Sequence, residues 1–86
     1  MDTQQRLRGF ITENFYVPDA EELALDTPLI DAGIVDSTGM LEVIAFIEGA
    51  FGIRVEDRET LPENLGTLGR ILAFIARKQG GAVAAA

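Results

Sequence analysis

The sequence predicts an all-α fold, a small four-helix bundle of three main helices and one short helix with a long first loop. The chain has 86 residues, of which 48% are hydrophobic, enough for one core and too many for a disordered chain. Three segments carry apolar residues at helical spacing. No segment shows the alternation of apolar and polar residues that is typical of a strand.

The first helix is expected over about residues 2–15, with Asp2 or Thr3 as its N-cap. Pro18 then ends it, because proline cannot continue a helix. A long acidic loop follows over residues 17–35, and such a loop is unusual unless it packs its own side chains or carries function. The apolar residues are Leu7, Phe10, Ile11 and Phe15 in the helix, and Leu23, Leu25, Leu29, Ile30 and Ile34 in the loop.

The second helix is expected to begin at Asp36 and Ser37 and to end near Gly52, since glycine commonly follows the last helical residue. Placing its residues about 100° apart separates two faces. Phe46 lies away from the centre of the core face, and we expect it to pack on the loop or on the first helix. The core stripe consists of Met40, Val43, Ile44, Ile47 and Phe51.

A second arc of this helix lies beside the core and partly toward solvent. We call it the docking face, and it consists of Thr38, Leu41, Glu42, Ala45 and Glu48. An apolar Leu41 with a rim of small and acidic side chains is typical of a transient docking surface for a partner protein. Alternatively, Leu41 merely packs under the long loop.

The last helix is expected to start at Thr67 as its cap, to run to Lys78 and to end at Gly80. A short turn or helix, broken by Pro62, precedes it over residues 57–64. A flexible tail is expected to follow over residues 80–86. The apolar face of the last helix is Leu68, Ile71, Leu72 and Ile75, and Arg77 and Lys78 suit its C-terminal dipole.

The charge distribution favours a basic protein partner. The net charge is −7, from 14 acidic and 7 basic residues, so phosphate repulsion disfavours a nucleic acid and an anionic membrane surface. Residues 9–53 contain no Lys or Arg, and this acidic half suits steering toward a basic surface. Acidity alone also keeps a small domain soluble, which is the alternative.

The chain contains no His and no Cys. Ser–His and Cys–His nucleophile pairs, His/Cys zinc sites and disulfides are therefore excluded. The opening residues lack the apolar run of a signal peptide, and the uncharged apolar run over residues 71–76 is too short to span a bilayer. We expect a cytoplasmic monomer without catalytic residues or metal ligands.

Ser37 has two interpretations. Asp36 and Ser37 both accept hydrogen bonds from free amides at a helix start, so the pair can simply be an N-cap. A phosphodiester on Ser37 would also be favoured there, because the N-terminal end of a helix attracts negative charge. The one Lys of the chain is Lys78 and no His is present, so another enzyme must perform any reaction at this hydroxyl.

Three motifs follow one another at fixed positions around the second helix: Gly33-x-x-Asp36-Ser37, Glu48-x-x-Phe51-Gly52 and the turn at Val55. Together residues 29–75 resemble the acyl and peptidyl carrier protein family, with a looser match over residues 5–78. The resemblance implies that Ser37, beside Asp36, receives 4′-phosphopantetheine from coenzyme A through a dedicated transferase. The thiol of that arm would hold acyl or aminoacyl cargo as a thioester, making residues 1–79 a carrier domain rather than an enzyme.

Two residues depart from the family pattern. Thr38 stands where the family usually has Leu or Met, and Gly39 follows it, although glycine inside a helix costs up to about 1 kcal/mol relative to Ala. The stretch from Gly33 to Thr38 and the sequence Pro62-Glu63-Asn64 look more like free-standing carriers that work with an adenylating ligase and a downstream synthase or transferase. Within this interpretation acyl cargo is favoured over aminoacyl cargo.

Other interpretations stay open at this point. The chain could be a helical protein-interaction module in which Ser37 is only an N-cap. Asp31 and Asp36 could form a catalytic carboxylate pair, although an acidic loop open to solvent gives little reason to expect it. The same loop could bind a divalent cation weakly through carboxylate oxygens.

Overall fold

The computed structural model describes residues 2–17 and 23–85, with the side chains up to residue 79. Its helices are α1 (Thr3–Asn14), α2 (Ser37–Phe51), α3 (Pro62–Leu65) and α4 (Leu68–Ala85), with a 3₁₀ turn at Asp57–Glu59. No strand occurs in these two ranges. The all-α prediction, with three main helices and one short helix, is therefore confirmed.

The start of α1 follows directly from its sequence. Asp2 Oδ1 accepts a hydrogen bond from the Gln5 amide at 2.7 Å, and Gln5 Oε1 accepts one from the Asp2 amide at 3.2 Å. This reciprocal capping box satisfies two amides that a helix start otherwise leaves free. The predicted cap is confirmed. Pro18, expected to end the helix, lies outside the described residues.

The C-terminal half follows the prediction at its start and departs from it at its end. Pro62 begins α3 as its first residue, where a missing amide hydrogen costs nothing. Thr67 Oγ1 accepts a hydrogen bond from the Arg70 amide at 3.1 Å, as expected of the cap of α4. The predicted end of this helix at Gly80 is wrong, because α4 continues to Ala85. The alanines after Gly80 are strong helix formers and offset the poor propensity of glycine.

The two basic residues that were assigned to the end of the last helix lie within it. Arg77 Nη2 donates to Asn64 Oδ1 at 2.7 Å, and Lys78 Nζ donates to both carboxylate oxygens of Glu59 at 2.9 and 3.1 Å. They therefore tie α4 to α3 and to the 3₁₀ turn, and do not complement a helix end. The assignment of residues 80–86 to a flexible tail stays a prediction.

One core joins the helices and the described part of the first loop. α1 packs against both α2 and α4, and α3 packs against α4. Phe74 of α4 is the largest fully buried side chain, although the predicted stripe of this helix did not include it. The buried hydrophobic residues are Leu7, Ile11, Leu23, Leu29, Val35, Met40, Val43, Ile47, Leu65, Leu68, Ile71, Phe74 and Ile75.

The first loop is held by backbone hydrogen bonds to the C-terminal half. The Leu29 amide donates to the Gly66 carbonyl at 2.9 Å, and the Gly69 amide donates to the Leu25 carbonyl at 2.8 Å. The guanidinium of Arg8 donates to the carbonyl of Leu23. From residue 23 onward the loop is therefore held against the C-terminal half and brings the chain to the start of α2. Of its apolar side chains, Leu23 and Leu29 are buried, whereas Leu25 and Ile30 are exposed.

The ion pair between Glu59 and Lys78 should make stability depend on pH. The pKa of the Glu59 carboxyl is held below its ordinary value, first by hydrogen bonding from Lys78 and then by the Glu56 amide. Because the pKa of Glu59 is lower in the folded state than in the unfolded state, where it is about 4.3, the pair stabilises the fold at pH values above this unfolded pKa. That stability is lost as the pH falls through the folded pKa.

We expect Lys78→Met to lower the melting temperature at neutral pH, with a difference from wild type that shrinks below about pH 4. Circular dichroism melts over that pH range measure it. Arg58→Met is the control, because the ion pair of Arg58 with Glu56 is largely exposed and such pairs contribute little. A difference for Lys78→Met that stays constant with pH would contradict the assignment.

Candidate functional site

Ser37 is the first residue of α2 and is exposed. The residue before it, Asp36, is the N-cap, and its Oδ1 accepts a hydrogen bond from the Gly39 amide at 2.6 Å. The cap function therefore belongs to Asp36, and Ser37 is exposed at the positive end of a 15-residue helix. An anionic group attached there would be stabilised by the free amides of the first turn.

The other end of α2 is equally well defined. Gly52 adopts the left-handed conformation with φ 66°, and its amide donates to the Glu48 carbonyl. The predicted end of the helix is confirmed. Of the predicted core stripe, Met40, Val43 and Ile47 are buried, whereas Ile44 and Phe51 are half-buried against the core.

Ser37 is one of the residues that line an open groove of about 690 Å³. The buried residues Met40 and Leu65 line it, together with the apolar residues Ile30 and Leu61, which are 49% and 42% exposed. Sequence reasoning did not predict this groove, because its two walls come from the first loop and from α3. The remaining lining residues are Pro28, Asp31, Thr60, Pro62, Glu63, Gly66, Thr67 and Arg70.

The docking face is mostly exposed. Leu41 is 64% exposed and does not pack under the described part of the loop. Thr38, Glu42 and Ala45 are exposed beside it. Glu48 differs from them, because it is half-buried and its Oε2 accepts a hydrogen bond from the Val55 amide at 2.9 Å. Glu48 therefore holds the turn after α2, a contact that helix geometry alone could not predict.

An aromatic cluster fixes α2 against α1. The ring of Phe46 stacks on that of Phe10, with centroids 4.2 Å apart and planes at 14°. The rings of Phe10 and Phe15 form a T-shaped pair with centroids 6.1 Å apart, and those of Phe46 and Phe51 form another with centroids 5.8 Å apart. The expectation that Phe46 packs on the first helix is confirmed.

The structure also places the acidic residues that the catalytic and metal alternatives invoke. Asp31 lies in the groove and Asp36 is engaged as a cap. Within residues 2–17 and 23–85, no three His, Cys, Asp or Glu side chains come together as a metal site would require. In the same part of the chain, no helix is long and apolar enough to cross a membrane.

Comparison with known proteins identifies relatives whose similarity extends over most of the chain. A family model described as a phosphopantetheine attachment site matches residues 5–75. A D-alanyl carrier protein of Streptococcus suis strain 05ZYH33 is 33% identical over 75 residues, which are 87% of this chain and 92% of that protein. A D-alanyl carrier protein of Streptococcus equi subsp. zooepidemicus is 33% identical over 67 residues, which are 78% and 84% of the two chains.

A solved structure shares the fold. One chain of a crystal structure described as that of a FAD-dependent dehydrogenase superimposes with a TM-score of 0.66 at 26% sequence identity. The match covers 85% of the present chain and 97% of the other, so the two chains are close in length.

Proposed function

The chain belongs to the family of carrier proteins that bear a phosphopantetheine attachment site, and we propose that Ser37 is its attachment residue. Members of this family are carriers, not enzymes, and their 4′-phosphopantetheine is covalently bound. The observation that carries the proposal is the exposed Ser37 hydroxyl at the capped start of α2. The family match spans this position.

A transferase must supply the chemistry at Ser37. The chain has no His to remove the hydroxyl proton, so the base comes from the partner enzyme. A bond forms between Ser37 Oγ and the phosphorus of the phosphopantetheine group, while the bond from that phosphorus to the bridging oxygen of the pyrophosphate breaks. Adenosine 3′,5′-bisphosphate leaves with that oxygen, and the Ser37 proton passes to the base of the transferase. Incubation with coenzyme A and a broad-specificity transferase, followed by peptide mass mapping, tests whether the arm is attached at Ser37.

The groove beside Ser37 offers a place for the attached arm. Ligand sites of about 300–1,000 Å³ hold drug-sized molecules, and the groove has a volume of about 690 Å³. Its apolar lining, including Ile30 and Leu61, suits the methyl groups and methylenes of the arm, while the polar edge suits its amides. We expect line broadening or shifts of groove amides in NMR spectra when the arm is added.

We propose an aminoacyl cargo, with acyl cargo as the alternative that the sequence alone favoured. Relatives that are 33% identical are D-alanyl carrier proteins. Asp31 and Glu63 line the groove with a single base, Arg70, and this excess of carboxylates suits a cargo with an ammonium group better than a fatty chain. We therefore expect an adenylating amino-acid ligase as a partner, in the cytoplasm where coenzyme A and ATP are available.

A loading experiment distinguishes the two cargo classes. Holo protein is incubated with ATP and either a D-alanine-activating ligase or a fatty-acid-activating ligase, and its intact mass is measured. We expect a mass gain with D-alanine that is reversed by thioester cleavage. Loading with the fatty acid alone would contradict the aminoacyl proposal and leave the carrier function intact.

The docking face is proposed to bind the partner enzymes through Leu41. Leu41→Ala should raise the KM of the transferase for this carrier on the order of tenfold, since the few residues that dominate an interface each contribute more than about 1 kcal/mol. Steady-state kinetics with varied carrier concentration measure it. Leu25→Ala is the control, because Leu25 is 45% exposed on the first loop and outside the docking face. Equal effects of the two substitutions would contradict the proposed face.

A further inference from the structure

Gly39 lies two residues after Ser37 and is buried in the first turn of α2. A Cβ atom placed on it would lie 2.6 Å from Cε1 of Phe15 and 3.1 Å from Oδ1 of Asp36. The first distance is closer than packed carbon atoms approach one another. The missing side chain of Gly39 therefore makes room for the ring of Phe15.

The ring of Phe15 is held by its neighbours on the side of the core. Phe15 is half-buried and packs against the core, and its ring forms a T-shaped pair with that of Phe10. Phe10 is itself stacked on Phe46 of α2 at 4.2 Å. A side chain added at position 39 would therefore push on a braced ring, and the first turn of α2 would have to shift.

The first turn is also the segment that carries Ser37. The Gly39 amide donates to Asp36 Oδ1 at 2.6 Å, and this bond closes the turn in which Ser37 lies. We infer that Gly39 is a positioning residue for arm transfer, because contact with Phe15 holds the capped turn and so the direction of the Ser37 hydroxyl. The inference rests on the proposed function of Ser37.

The test is a double-mutant cycle on the transferase reaction. We expect Gly39→Ala to lower kcat about 10- to 100-fold, since a displacement of about 1 Å near a reacting group can cost 100-fold. The KM should change little, because Leu41, the apolar centre of the docking face, lies beyond the first turn of α2. In the Phe15→Leu background, which removes the ring edge, Gly39→Ala should change kcat by no more than about twofold.

Gly9→Ala is the matched control. Gly9 lies inside α1, and a Cβ placed on it meets nothing within 4 Å, so we expect wild-type kinetics. Circular dichroism and thermal melts on every variant give the folded fraction. Normal kcat for Gly39→Ala, a loss that Phe15→Leu does not relieve, or a loss that only follows the unfolded fraction would each overturn the inference. Failure of the wild-type chain to accept the arm would instead overturn the proposed function.

Discussion

Ser37→Ala is expected to abolish the mass gain of one phosphopantetheine group on incubation with coenzyme A and a broad-specificity transferase. The substitution removes Oγ, the atom that forms the bond to phosphorus, and the chain has no Cys or His to replace it. The helix should persist, because the capping hydrogen bond runs from the Gly39 amide to Asp36 and not to Ser37. Intact mass spectrometry measures the loss, and circular dichroism verifies the fold.

Thr38→Ala is the neighbouring control. It removes the other hydroxyl of the first turn, and at the end of the reaction it should show the full mass gain even if its rate changes. A gain that survives Ser37→Ala would overturn the site while leaving the carrier function in place. A gain that is lost in both variants would show that the loss is not specific to the Ser37 hydroxyl, and Ser37→Ala would then no longer support the assignment.

The boundaries of α2 could be predicted from the sequence because both ends depend on neighbours in the chain. Asp36 can reach the amide of Gly39 within one turn, which makes it a local signal. Gly52 adopts a positive φ that glycine reaches without steric cost. Neither feature requires knowledge of what the helix packs against, so Ser37 could be placed at the helix start in advance.

The surroundings of the site could not be predicted in the same way. From the sequence alone, Gly39 was expected only to destabilise the helix. The structure shows why a glycine stands there: the ring of Phe15, 24 positions earlier in the chain, occupies the space that a side chain would need. The groove is built where the first loop and α3 approach the start of α2, and no spacing within one segment reveals that approach. Tertiary contact overrides local propensity at these positions.

Helical periodicity placed some residues on the correct face without giving their roles. Leu41 and Glu48 share an arc of α2, yet Leu41 is 64% exposed while Glu48 binds the Val55 amide. Phe74 lies three residues after Ile71, a spacing that belongs to the core face, and it is 1% exposed. The spacing of apolar residues could therefore have placed Phe74 in the core. The hydrogen bond of Glu48 could not be predicted from spacing, because it depends on the conformation of the turn after α2.

Ile47→Ala is expected to lower the free energy of unfolding by about 2–5 kcal/mol, the range for large-to-small substitutions in a core. Ile47 is 0% exposed at the centre of the buried face of α2, and deleting three of its carbons leaves a cavity that close-packed neighbours cannot fill. A domain of this size is stable by only about 5–15 kcal/mol, so the substitution could remove half of its stability.

Urea titration followed by circular dichroism measures this loss. An m-value equal to that of the wild type would show that the variant exposes the same amount of surface on unfolding. Leu41→Ala is the matched control, because it also shortens a branched aliphatic residue to Ala on α2, but at a position that is 64% exposed. We expect it to change stability by less than about 0.5 kcal/mol. The same pair thus separates the two faces of α2: Ile47→Ala should weaken the fold, and Leu41→Ala should weaken binding of the transferase. Comparable destabilisation by both would mean that Leu41 supports the core and that the docking face is wrongly placed.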